Sequence, residues 1–412
     1  MSQSQKLLPP WLLAFGNLPL GINSAVCLIT IPDMLAAAHV PEGQIATATS
    51  LFLSTGFISI LLAPLLDWRL PRRTYAIGFA VLNAVCNFFI PLAVSNIPLL
   101  TVLMFLSGMA NAMCISAMGG WFSDLVPKEK KDALGAWFTV INFGAGGILA
   151  ALIMYLLHEL PSPLGEAATA VLSLLVVILF YVTPCPPADK TLASESFRNF
   201  ARDVSGLFRR KEVLWVMLIF IAPSASFALT NTLSGFGHIY HISDEMVGVL
   251  GGAGVAVAGV AGALLVPLIT KRLSPVATYL LVGLIGAVFT LTLIPAPKDP
   301  TFFGVAILGQ NLFQAAAFAA ANVITLRAIG HDNPLAATQY SVLIGVTMIP
   351  LTYMQMADGH AFDFGGLAGT FATDALVSGA ACLILGLLYW RFGRRSMPDV
   401  ETAAPVPASP AE

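Results

Sequence analysis

Apolar runs long enough to cross a membrane alternate with short polar gaps along almost the whole chain. They extend from Pro10 to Ala37, Gln44 to Leu66, Thr74 to Val94, Ile97 to Phe122, Leu134 to Leu157 and Ala167 to Val182. A second set runs from Val213 to Thr232, Val247 to Ile269, Val276 to Ile294, Thr301 to Leu326, Tyr340 to Met356 and Phe371 to Trp390. A helix needs about 20 apolar residues to cross the hydrocarbon layer, so the pattern predicts twelve transmembrane helices.

The gaps are not equivalent. Of the 20 Lys and Arg residues, every one but Lys298 falls at an end of the chain or in alternate gaps: Lys6, Arg69 to Arg73, Lys128 to Lys131, Lys190 to Lys211, Lys271 and Arg272, Arg327, and Arg391 to Arg395. Under the positive-inside rule this places both termini in the cytoplasm, and a bacterial inner membrane is the expected location. A chain with 57% hydrophobic and 10% charged residues cannot fold around one water-excluding core, so a soluble protein is excluded. A net charge of −2 gives no reason to expect a nucleic-acid partner. Cys27, Cys86, Cys114, Cys185 and Cys382 show no metal-ligand spacing and read as small packing residues. The first run, with Asn17, Asn23 and Asp33, is too long and too polar for a cleaved signal peptide despite Ala36-Ala37-Ala38.

The chain repeats itself at about half its length. His39-Val40-Pro41-Glu42 before the second run is echoed by His241-Ile242-Ser243-Asp244 before the eighth, and Ala63-Pro64-Leu65-Leu66-Asp67 by Val266-Pro267-Leu268-Ile269-Thr270. Six helices followed by six more in the same orientation form a parallel repeat, with a solute path between the halves. The expected organisation is an all-α membrane protein of two pseudo-symmetric six-helix bundles, residues 1–183 and 212–396. A cytoplasmic connector at 184–211 would join them, with an amphipathic helix carrying Phe197, Phe200, Val204, Leu207 and Phe208, and a tail without apolar periodicity would follow at 397–412. Glycines such as Gly144, Gly146 and Gly147, or Gly248 to Gly262, sit within runs, where small residues let helices approach. No Walker or dinucleotide pattern is present, so ATP use and a bound cofactor are not expected.

Asp67-Trp68-Arg69-Leu70-Pro71-Arg72-Arg73 resembles the cytoplasmic loop signature of the major facilitator superfamily, departing from it at Ala63 and Trp68. That resemblance implies a cytoplasmic gate at Asp67, Arg69, Arg72 and Arg73, and a cavity lined by the first, fourth, seventh and tenth helices. Leu18-Pro19-Leu20-Gly21, Ala63-Pro64-Leu65-Leu66-Asp67 and Ala337-Thr338-Gln339-Tyr340 are similar to the AmpG and acetyl-CoA transporter branch, which includes siderophore permeases. AmpG-type muropeptide permeases carry two more helices, which keeps siderophore uptake open beside muropeptide uptake. The fifth run has the glycines but not the proline of drug/proton antiporters, which argues against an exporter.

Within this frame an ionisable group at membrane depth costs about 2.5–3.5 kcal/mol at a helix centre and demands an account. Asp33 is the carboxylate of the first run and the candidate proton-coupling residue; the alternative is a cap at the outer interface after Pro32. On the tenth helix Asn311, Gln314, Phe318 and Asn322 fall on one stripe, with Gln310 about 100° away. Asn17, Asn23, Asn111, Asn142 and Asn231 complete the candidate cavity residues, each of which could equally bond a neighbouring helix. His238 and His241 are too sparse for a metal site, and no catalytic constellation is visible, so an enzyme is not expected. The reading is a monomeric secondary transporter in the lipid bilayer that takes up a small polar or amphipathic solute with a proton by alternating access. An uncoupled facilitator, an exporter, a transport-inactive sensor or a membrane-bound enzyme are the alternatives.

Overall fold

The computed structural model describes residues 8–40, 42–67, 70–185, 205–206, 209–329 and 333–393. The tail expected at 397–412 and most of the connector, including its apolar stripe, lie outside them. Among the described residues the secondary structure is helical, and the helices occupy the positions of the twelve apolar runs. The second, third, fourth and sixth are Glu42–Leu62 continued by a 3-10 turn Ala63–Asp67, Arg72–Leu92, Ile97–Leu125 and Leu164–Val182. The ninth and tenth are Pro275–Thr292 and Pro300–Ile329.

Several spans are interrupted where the sequence explains it. The first passes from helix Leu18–Ser24 through a π-helical stretch Ala25–Thr30 into helix Ile31–Ala37. Similar π turns interrupt the fifth at Ile141–Ala145 and the eighth at Leu250–Gly254, both in glycine-rich stretches. The eleventh and twelfth spans join in one element, Ala336–Leu388, folded back at Gly366, whose φ of 57° and ψ of −153° are open to glycine alone. The polar stretch between Met356 and Phe371 therefore extends two helical arms rather than forming a loop.

The internal repeat reappears in the backbone. His39 and His241, paired by the sequence echo, both adopt the left-handed conformation, with φ of 58° and 54°. Non-glycine residues rarely do so, and the shared exception marks the same sharp turn into an even-numbered span. Ser243 follows and caps the second of these helices by accepting from the Met246 amide at 3.4 Å.

The chain forms two compact units, and each borrows from the other half of the sequence. One contains Met1–Leu125, Val140–Leu207 and His331–Met348; the other contains Val126–Thr139, Phe208–Gly330 and Ile349–Glu412. In the first unit a buried polar seam crosses four spans. Ser107 Oγ donates to Asn23 Oδ1 at 2.6 Å and accepts from Asn83 Nδ2 at 3.0 Å; Asn87 Nδ2 donates to Asn83 Oδ1 at 3.2 Å and Ser173 Oγ at 3.1 Å. These residues are essentially inaccessible to solvent. The second unit is centred on aromatic packing, Tyr240 edge-on to Phe303 at 5.5 Å within a cluster that includes Leu229, Ile307 and Phe371.

Ser107→Ala deletes the hub of the seam and removes the O–H donor to Asn23 Oδ1, while Asn83 Nδ2 keeps its bond to the residue 107 carbonyl at 3.1 Å. The expected loss is about 1–3 kcal/mol, read as a lower midpoint in thermal unfolding of the detergent-solubilised protein. An unchanged midpoint would show that the seam contributes nothing to stability.

Candidate functional site

In the first unit Asp67 is held from three sides. Its Oδ1 accepts from Arg72 Nε at 2.8 Å and from the Ala337 amide at 3.2 Å, while Oδ2 accepts from the Thr338 amide and hydroxyl, each at 2.7 Å. The carboxylate thus caps the positive end of the helix that begins at Ala336. Arg72 continues the clamp, donating through Nη2 to the Asn333 carbonyl at 2.7 Å and approaching Asp124 at 3.5 Å. Close approach is possible because Gly119 lies against the Tyr340 ring and Gly120 against the Ala337 backbone, where a methyl group would collide. Two of the short motifs singled out in the sequence, Ala63 to Asp67 and Ala337 to Tyr340, meet here.

The rest of the expected gate divides. Arg73 stands over the Tyr181 ring at 6.0 Å, toward the sixth span, and Arg69 lies outside the described residues. A second clamp, in the second unit, was not singled out from the sequence. Arg327 Nε and Nη2 pair with Asp132 at 2.8 and 2.6 Å, and Lys131 Nζ donates to the Leu326 carbonyl at 2.9 Å. All three side chains are buried. Lys131 therefore sits at the negative end of the helix Pro300–Ile329, complementing its dipole as Asp67 does at the opposite kind of terminus. Lys131 and Arg327 had read only as topology signals.

The seventh span is broken. Helix Lys211–Ile221 stops at Ala222, held extended by the following Pro223, and residues 222–227 run irregularly until the 3-10 turns Ala228–Asn231 and Leu233–Tyr240. Phe227 takes a left-handed conformation, φ 48°, and its ring stacks on Phe313 in space that only Gly286 leaves open. Gln314 Nε2 reaches this segment, donating to Thr230 Oγ1 at 2.6 Å and to the Phe227 carbonyl at 3.4 Å. Ser226 Oγ is buried there with no hydrogen-bond partner.

The stripe on the tenth span spreads its contacts. Asn311 Nδ2 donates to its own helix at Ile307, Asn322 Nδ2 to Thr139 of the fifth span at 3.3 Å, and Phe318 is half-buried between them. Gln310 turns instead to Thr290 of the ninth span at 2.6 Å, leaving its Oε1 without a partner. In the first unit Asn23 belongs to the buried seam, its Nδ2 unpartnered, and Asn111, one turn from Ser107, keeps a buried, unpartnered Oδ1. Asn17 is buried and Asn142 half-buried in the π turn of the fifth span. Asp33 lies in helix Ile31–Ala37 and Asn231 in its 3-10 turn, but the side chains of both are outside the described structure.

A family model described as Major Facilitator Superfamily matches residues 13–348. The chain belongs to that superfamily. Its fold is similar to that of the proton:xylose symporter XylE bound to 6-bromo-6-deoxy-D-glucose, at 12% identity over 93% of this chain and 94% of that one, with a TM-score of 0.70. It is also similar to the transporter FucP in its outward conformation, at 16% identity over 92% and 97%, TM-score 0.69, and to a variant of the E. coli fucose:proton symporter FucP, at 17% identity over 92% and 97%, TM-score 0.68. No curated protein sequence matches. This superfamily member is thus a multi-pass membrane transporter with the twelve-helix fold, and not an enzyme.

The clamp at Arg327 makes a definite energetic claim. Asp132→Ala removes the carboxylate paired with the buried Arg327 guanidinium and should cost about 3–5 kcal/mol, whereas the double replacement Asp132→Leu with Arg327→Met should recover most of the loss. Thermal unfolding of the three purified variants beside the parent closes this cycle. Equal losses from the single and double replacements would mean that the two side chains do not act as a pair.

Proposed function

We propose that this transporter carries out proton-coupled uptake of a small solute rich in hydroxyl and amide groups. The observation that supports the reading best is the kind of hydrogen-bonding capacity left over inside it. In the second unit Ser226 Oγ and Gln310 Oε1 are buried without partners, and Gln314 bonds Thr230 of the irregular seventh span. Transporters place substrate sites at broken helices because freed backbone groups can be satisfied by the solute. All the side chains in this set are neutral, so a strongly anionic ligand would lack a counter-charge.

The resemblance of Leu18 to Gly21, of Ala63 to Asp67 and of Ala337 to Tyr340 to the AmpG and siderophore branch fits a muropeptide-like or siderophore-like solute, since both classes are dense in amides and hydroxyls. The named neighbours are sugar symporters, and a polyol is the same hydrogen-bonding chemistry in smaller form. Under this reading the side with the basic residues is cytoplasmic, the clamps at Asp67 and Arg327 are the cytoplasmic gates that part during alternating access, and Asp33 carries the coupled proton.

Thermal-shift screening of the purified protein against peptidoglycan fragments, iron chelators and sugars identifies the stabilising class. With that solute in proteoliposomes, Asp33→Asn should abolish accumulation driven by a pH gradient and leave solute counterflow within about twofold of the parent. Accumulation that survives the substitution removes Asp33 from the mechanism. Equilibration without accumulation in the parent, unaffected by a protonophore, points to an uncoupled carrier.

A further inference from the structure

The hairpin of the eleventh and twelfth spans contains two carboxylates that the transport reading does not use. Asp358 precedes the Gly366 turn and Asp374 follows it, so the two stand on opposite arms of the hairpin. The arms are tied by Thr370 Oγ1, one turn before Asp374, which donates to the Asp358 carbonyl at 3.1 Å. They are also closely packed, since a methyl group on Gly369 would come within 2.6 Å of the Ala361 carbonyl oxygen.

Both side chains are almost fully buried, Asp358 at 1% and Asp374 at 3% exposure. Neither oxygen of Asp358 has a hydrogen-bond donor, nor does Oδ1 of Asp374, and Ser378 Oγ, one turn beyond Asp374, is also buried without a partner. Opposite Asp358 stands the stretch of the second arm that carries Asp374, one turn beyond Thr370. On the first arm His360 and Asp363 lie nearer the turn. Among the described residues of the neighbouring elements, the nearby cation is Lys298, whose ammonium is committed to the Leu293 carbonyl at 3.0 Å and to the rings of Tyr240 and Phe371 at 5.4 and 5.6 Å. Burial also pulls the Lys298 ammonium below the ordinary lysine range. Tyr240 and His238 belong to the adjoining 3-10 helix Leu233–Tyr240. None of these groups forms an ion pair with either carboxylate.

Two unpaired carboxylates in such a place cannot both be ionised, because each would forgo hydration and the two would repel across a packed contact. Their oxygens need a donor, and the smallest that fits between closely packed arms is a proton. We propose that Asp358 and Asp374 form a proton-binding site, in which an O–H on one carboxyl is taken from the aqueous phase and held between the two arms. Release returns the proton to water and leaves like charges on facing arms, so that the hairpin must loosen or admit water. Proton occupancy thereby sets the packing of the last two spans. This site is separate from Asp33 and does not depend on the coupling reading.

The test uses the full chain in lipid nanodiscs and needs neither substrate nor transport. Infrared difference spectroscopy between acidic and alkaline buffer should show the carbonyl stretch of a buried carboxylic acid at neutral pH, lost as the pH rises. The band should persist in Asp33→Asn and disappear or shift in Asp358→Asn and in Asp374→Asn. The parent's unfolding midpoint should fall as the pH is raised, because deprotonation introduces the repulsion, while the double Asn variant should lose that dependence. Absence of the band from the parent, or its survival unchanged in both single variants, overturns the proposal. So does stabilisation at high pH by added sodium without any such band, which would make the site one for a metal cation.

Discussion

In hydrocarbon a polar atom that finds no partner within the chain finds none at all, and that constraint organises this protein. Helices satisfy the backbone, which is why the described residues fold into little else. Side chains then separate into two populations. Those bonded to one another, such as Asn23, Ser107, Asn83, Asn87 and Ser173, hold spans together. Those left with spare capacity, such as Asn111, Ser226, Gln310, Asp358 and Asp374, retain atoms whose partners must come from elsewhere.

The two clamps obey the same constraint by a common device. Each buries a charge against a helix terminus of opposite polarity: the Asp67 carboxylate at the start of Ala336–Leu388, and the Lys131 ammonium at the end of Pro300–Ile329. Each also contains an arginine paired with a carboxylate, Arg72 with Asp67 in one and Arg327 with Asp132 in the other. Interactions of this kind are strong while water is excluded and are readily exchanged for water once it enters, because hydration offers the same groups comparable partners.

The superfamily fold is shared with symporters at 12–17% identity, so it is carried by the spacing of apolar runs and small residues and not by particular polar side chains. Gly119, Gly120 and Gly135 illustrate this, each packed against another helix at a distance only hydrogen permits. Fold similarity at this level of identity speaks to the fold alone and leaves substrate identity a separate question.

Apolar run length, charge asymmetry and the half-length echo were local or periodic features, and they determined the helical class and the register of nearly every span. The echo even paired His39 with His241, which share a rare backbone conformation. The Asp67 loop and the Ala337 motif were visible separately, but their union required the chain to fold, since they are far apart in sequence. Pro223 was a legible signal for the broken seventh span that hydropathy concealed, because Ser and Ala around it lower the average too little to end an apolar run. Asp132, Arg327, Asp358 and Asp374 were beyond sequence reading for a physical reason: a charge looks the same in a solvated loop and in a buried contact. Only the tertiary structure decides whether water, an opposite charge or nothing stands beside it.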